Sequence, residues 1–140
     1  MSKIIVLPET IELNKVRIVE EHHSRCDDYI VNPKDYKEFF PDSHIIRHLD
    51  ETGLPFIGSE IKHGDCIVSM IRNYKNNSHD DEDVSLYSKT WSEGRVVNIE
   101  IKHSKNLSDA TKIVIITLEY IALSRKYRVN KGIRNSTYNL

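Results

Sequence analysis

Glycine, proline, cysteine and long apolar runs are all scarce in this chain of 140 residues, and each shortage narrows what the protein can be. Five glycines leave no cluster dense enough to cradle a phosphate. The three that fall close together, Gly53, Gly58 and Gly64, are five and six residues apart, with Pro55, Phe56 and Ile57 between the first two. The two cysteines, Cys26 and Cys66, have no partners at metal-ligand spacing, which fits ordinary thiols in a reducing compartment. A single disulfide between them is left open by the residues alone. The longest apolar stretch, 113–123, is interrupted by Thr117 and Glu119 and is too short to span a bilayer. The opening MSKIIVLPET is broken by Pro8 and lacks a small-residue cleavage pattern, so it does not read as a signal peptide. Net charge is also lacking, at −1, because 20 basic residues offset 21 acidic ones. These features give the expectation of one soluble, cytoplasmic domain.

What is present is mostly the pattern of short strands. In TIELNKVRIV, apolar Ile11 and Leu13 alternate with Glu12 and Asn14, and Val16 and Ile18 flank Arg17. The parity slips once, which predicts extended chain with a bulge. Asn32 as cap, Pro33 in the first turn, and Asp35 and Glu38 at the positive end predict a short helix ending before Pro41. A second short helix or turn is expected over 42–49, capped by Asp42 or Ser43. PFIGSEI reads as extended with a glycine bulge, KHGD as a tight turn using Gly64, and CIVSMI as a strand buried on both faces. Residues 72–83 read as a mobile acidic loop, and VSLYSKTW as another short strand. After Gly94, Val97, Ile99 and Ile101 alternate with Asn98, Glu100 and Lys102; a polar link then leads into TKIVIITLEYIAL, which predicts a β-hairpin. The fold class is therefore mainly β with one or two short helices. The expected division is a β-rich domain over 1–124 and a basic, polar tail over 125–140.

Candidate chemistry is thin. His22, His23 and Cys26 lack a fourth ligand at the usual spacing, and the polar-loop reading is preferred. His44 and His48 would share a helix face, but Ile45 stands where a metalloprotease needs Glu, so a surface pair is expected. His79–Asp83 (HDDED) lacks the alternation and central glycine of a calcium loop and reads as a solvated charge run. No catalytic constellation and no metal site is assigned. Arg125, Lys126, Arg128, Lys131 and Arg134, interleaved with Tyr127, form a strip able to neutralise nucleic-acid phosphates. The same strip would also serve as a soluble strand end.

The stretch LDETGLPFIGSEIKHGDCIVSM resembles a segment of the second-largest, β-type subunit of multisubunit DNA-directed RNA polymerases. That segment runs Leu-Asp-x-x-Gly-Leu-Pro-x-x-Gly-x-x-Val-x-x-Gly-Asp-Ile-Leu-Val. Leu49, Asp50, Gly53, Leu54, Pro55, Gly58, Gly64, Asp65 and Val68 fit it, with Ile61 at the first Val position. Asp83, Ser85 and Leu86 follow as the family's Asp-x-Ser-Leu, and then come Gly94 with its alternating strand and the apolar strand ending in basic residues. The resemblance covers roughly residues 45–131, while 1–40 match poorly. It implies a flap/wall-like β domain, barrel-sandwich-like, with a protruding hairpin.

In the family this region bounds the RNA–DNA hybrid and the RNA exit path, and its tip docks initiation factors. The resemblance therefore implies other polymerase subunits as partners, nucleic-acid contacts by the Arg125–Arg134 strip, and a docking tip at His103, Lys105, Leu107 and Lys112. Gly53, Gly58, Gly64 and Gly94 would be structural turns. Lys131 falls at the family's first active-site lysine, but Asn130 replaces the Asp before it and no Arg-His-Gly follows. The chain is thus expected to be a non-catalytic piece of a split or divergent polymerase, such as a virus, phage or plasmid carries. No cofactor is assigned to it, since the Mg2+ would sit on another subunit. The rival reading is a free-standing, flap-like regulator that binds an initiation factor or a host polymerase.

Overall fold

The computed structural model describes residues 9–89, 92–104 and 111–122. Among these residues nine strands follow in chain order: β1 (Ile11–Glu20), β2 (Cys26–Ile30), β3 (Glu60–Ile61), β4 (Cys66–Val68), β5 (Met70–Tyr74), β6 (Glu82–Asp83), β7 (Leu86–Tyr87), β8 (Gly94–Ser104) and β9 (Thr111–Ile121). The protein is mainly β. The largest sheet has the order β1-β9-β8-β3 and curls as a half barrel. A three-stranded sheet, β2-β5-β6, and the pair β4-β7 complete the structure.

The expected hairpin is β8–β9, with partners from Arg95↔Glu119 to Ser104↔Thr111. Its register shifts between Val96 and Asn98, so Val96 and Ile99 both reach the core although they are an odd number apart. On β9, Val114, Ile116 and Leu118 point inward and are fully buried, the period of two expected of a half-buried strand. They cluster with Leu54, Ile61, Ile67, Val68 and Met70, all from the stretch between Leu54 and Met70. Each such side chain contributes roughly 1.5–3 kcal/mol through burial.

Four expectations are corrected. The bulge in β1 is absent: its register with β9 is unbroken from Ile11↔Ile121 to Glu20↔Lys112. Alternation is preserved by turning Ile11 and Leu13 outward, 67% and 60% exposed, while Val16 and Ile18 face inward. The segment 32–40 forms no α-helix, whereas 42–49 is the turn that the sequence allowed there. Asn32 does cap, accepting from the Lys34 N–H at 3.1 Å, but only a 3-10 turn over Pro33–Asp35 follows. Residues 43–48 form successive turns, begun by Asp42 accepting from the His44 N–H. PFIGSEI turns over 56–59, closed by the Ser59 N–H donating to the Phe56 carbonyl, and only Glu60–Ile61 are strand, as β3. Finally, the loop read at 72–83 is shorter, because Arg72–Tyr74 belong to β5 and Glu82–Asp83 to β6.

Candidate functional site

The segment from Leu49 to Leu86 is held by side chains bonded to backbone more than by ladders. Asp50 accepts from the Thr52 N–H at 2.8 Å, and the Gly53 N–H donates to the Asp50 carbonyl, making a tight turn. Gly53 has φ of +83°, and a Cβ there would collide with the Val31 carbonyl oxygen, the Ser69 hydroxyl and the Ile30 side chain. Here the absence of a side chain is a packing requirement. Ser69, fully buried, completes the junction: its hydroxyl donates to the Val31 carbonyl at 2.6 Å, and its N–H donates to the Gly53 carbonyl.

Asp65 is the second knot. It is 4% exposed and accepts from Arg47 Nη1 at 2.6 Å, Arg47 Nη2 at 2.9 Å and the Lys62 N–H at 2.8 Å. Burial alone would raise the carboxyl pKa. The Arg47 hydrogen bonds, the Lys62 N–H and the Arg47 and His48 charges outweigh it and hold the group below its ordinary value. His48 Nε2 lies 3.3 Å from Asp65 Oδ2 without a well-directed hydrogen bond. Gly64, with φ of +90°, lets the chain reverse so that its N–H meets the Ser88 carbonyl.

The third knot is Asp83–Ser85. Asp83 accepts from the Ser85 N–H at 2.9 Å and from the Tyr87 hydroxyl at 2.5 Å. Burial, then the hydrogen bond to Asp83, raises the Tyr87 pKa. Ser85 Oγ accepts from the Met70 N–H at 2.8 Å and lies 3.2 Å from the Met70 carbonyl, extending the β5–β6 contact past Asp83, where the Val84 N–H also donates to the Met70 carbonyl. Leu86 packs on the core.

The motif residues are therefore scaffold. The family model for RNA polymerase Rpb2, domain 6, matches residues 6–129. The chain belongs to that family. It is a domain of the β-type subunit of a multisubunit RNA polymerase, and its partners are other polymerase subunits. A search of curated proteins gives no match. The match reaches back to residue 6, so the Rpb2 pattern includes β1 and β2, which the motif resemblance over 45–131 did not cover.

Of the residues expected to act in this Rpb2 domain, the whole basic strip, Arg125, Lys126, Arg128, Lys131 and Arg134, lies outside the described residues, as do Lys105 and Leu107 of the tip. His103 and Lys112 face each other across β8 and β9, with His103 exposed. Gly58 and Gly94 have φ of +93° and +147°.

The histidines do not gather as pairs. His22 Nδ1 lies 3.1 Å from Asp27, whereas His23 Nε2 lies 2.9 Å from Glu21. Glu21 and His23 approach Asp28 closely enough for one cation to touch all three. Asp28 is already gripped by Arg72, through Nε at 2.8 Å and Nη2 at 3.1 Å, so a cation would face a guanidinium. His44 and His48 share no helix; His48 turns to Asp65.

In the acidic run the carboxylates bond to neighbouring side chains and backbone. Asp81 accepts from Asn73, Glu82 from Tyr74, and Asp83 from Tyr87 and Ser85, so each serves the strands around it. Cys66 is fully buried, which pushes its thiol up to about 12, and it is not a nucleophile at neutral pH. A cleft of about 730 Å³ has Pro33, Lys34, Ile46, Leu49, Asp50 and Phe56 in its lining. Within its lining the Thr52 hydroxyl donates to the Asp50 carboxylate. No helix among the described residues is long and apolar enough to cross a membrane.

Sequence reasoning missed Asp65 and Ser85 as working groups. Both were visible in the motif, and the signal was an acid or hydroxyl beside a turn, where such side chains bond the backbone.

Proposed function

We propose that this domain is a flap/wall-like piece of a split or divergent polymerase β subunit, acting by shape and charge and not by chemistry of its own. The observation that carries the reading is the family match over residues 6–129, whose motif residues Asp50, Gly53, Asp65 and Ser85 are all engaged in framing strands. In this reading the rigid frame packs on the other subunits. The Arg125–Arg134 strip approaches the RNA–DNA hybrid or the exiting transcript, and the β8–β9 end docks an initiation factor. Catalysis and its Mg2+ belong to another chain.

The deciding experiment is co-purification from the source cells. Stoichiometric recovery in a complex that transcribes promoter DNA supports a subunit. Recovery with an initiation factor alone, or inhibition of transcription when the protein is added, overturns it in favour of a regulator. Within an active complex, charge reversal at Arg125, Lys126 and Arg128 should weaken nucleic-acid binding and flatten its salt dependence. An unchanged salt slope would reduce the strip to a soluble end.

A further inference from the structure

The sheet β1-β9-β8-β3 has two edges of different character. β3 is a two-residue edge. β1 is ten residues long, without proline, glycine or bulge. The Ala122 N–H donates to the Thr10 carbonyl at 2.9 Å, which sets the phase of the β1–β9 ladder. Even-numbered residues of β1 bond β9, and Ile11, Leu13, Lys15 and Arg17 aim their N–H and C=O groups away from it. All four are exposed. β2 begins to cover this edge, with the Asp28 N–H donating to the Glu21 carbonyl, but then departs: the Ile30 N–H is taken by the Glu20 carboxylate at 2.7 Å. The edge from Ile11 to Arg17 is left without a neighbouring strand among the described residues. Such a row of outward backbone groups is a template for an added strand.

The side chains on the same rim state what that strand should carry. Ile11 and Leu13 sit beside Ile121, directly across from Ile11, and all three are at least 60% exposed. Lys15 and Arg17 follow; opposite them on β9 are Thr117 and Ile115, and neither base makes an ion pair with a described residue. Of the carboxylates on that face, Glu119 is bound to Arg95 at 3.0 Å, and Glu100, beyond Ile115, lies 3.9 Å from Lys102. A second copy of β1 would bring Lys15 and Arg17 against apolar or basic residues, so the chain does not complement itself here.

We infer that the free edge of β1 is a docking surface for an extended segment of a partner chain. That segment places apolar side chains opposite Ile11 and Leu13 and acidic ones opposite Lys15 and Arg17. Backbone hydrogen bonds supply attachment, and the two bases supply register and choice of partner. The inference stands on the geometry of β1 and not on the polymerase reading, so either can fail without the other.

The test uses the full chain and a short capped peptide in which threonine alternates with Glu, Glu, Val and Ile, made in both chain directions. Binding is read by fluorescence anisotropy and by amide hydrogen exchange. The expected result is binding that weakens with salt, with exchange slowed at Leu13, Lys15 and Arg17. Lys15→Pro removes an outward donor and no bond to β9, and should weaken binding about tenfold or more. The double variant Lys15→Glu and Arg17→Glu keeps the edge and should prefer a peptide with lysine in place of glutamate. Equal binding of the glutamate and lysine peptides by the unaltered chain would overturn the proposal. So would unchanged binding by Lys15→Pro, protection at Phe56 and Ile57 instead, or self-association that protects β1.

Discussion

The β1–β9–β8 face and the segment between Leu49 and Leu86 satisfy the same backbone demand in opposite ways. The first uses long uninterrupted ladders, in which each strand answers the next residue by residue. The second is built from strands of two to five residues, too short to hold themselves. Asp50, Ser69, Asp65 and Ser85 add side-chain bonds to the backbone there. Ladders average over many equivalent bonds, so loss of one is mild. Clamps concentrate the same duty in a few atoms, buried at Asp65 and Ser69 and half-buried at Asp50 and Ser85.

That contrast can be broken first at Gly53. Gly53→Ala should cost about 3 kcal/mol or more, because the new methyl meets backbone at a positive φ, and urea unfolding would measure it. A loss below about 1 kcal/mol would show that the junction with Val31 and Ser69 yields easily.

Asp65→Asn comes next, at about 2 kcal/mol near neutral pH. Because the folded carboxyl titrates below its ordinary value, its contribution is complete above the unfolded pKa of about 4 and is lost as pH falls through the lower folded value. The unaltered protein should therefore lose stability across that acid window, and the variant should lose less. Parallel curves would remove Asp65 from the account.

Ser85→Ala should cost about 1–2 kcal/mol, since the Met70 N–H loses its acceptor. Thermal melts would resolve it. Glu119→Gln on the ladder face should change stability by less than about 0.5 kcal/mol, because its pair with Arg95 is exposed. If this surface change cost more than Ser85→Ala, the division between averaged and concentrated contacts would be wrong.

The ladder region was the more legible in the sequence. Strict alternation in Val97–Lys102 and the apolar run after Thr111 announce a hairpin, because side-chain period follows directly from strand geometry. Alternation does not say which face is inside, so Ile11 and Leu13 were placed with Val16 and Ile18 by invoking a bulge, and the structure instead leaves them exposed. The clamp region has no period to read. Its glycines marked turns, but the partners lie far away in the chain: Asp65 with Arg47, Ser69 with Val31, Asp28 with Arg72. Arg72–Tyr74 looked like solvated loop because their polar side chains find partners across the sheet instead of burying apolar surface. The 32–40 segment shows the reverse: the cap was readable, but a cap starts a turn and does not oblige a helix to continue.

Cys66 adds a use for this uneven construction. Its thiol is wholly buried and pushed up to about 12, while its backbone is held by the Ile45 carbonyl and by β7, so an alkylating reagent reaches it only when the surrounding clamps let go. The protein thus carries its own stopwatch for breathing. The rate at which Cys66 is labelled, set against the more accessible Cys26, times how often the short-strand half opens while the long hairpin stays shut.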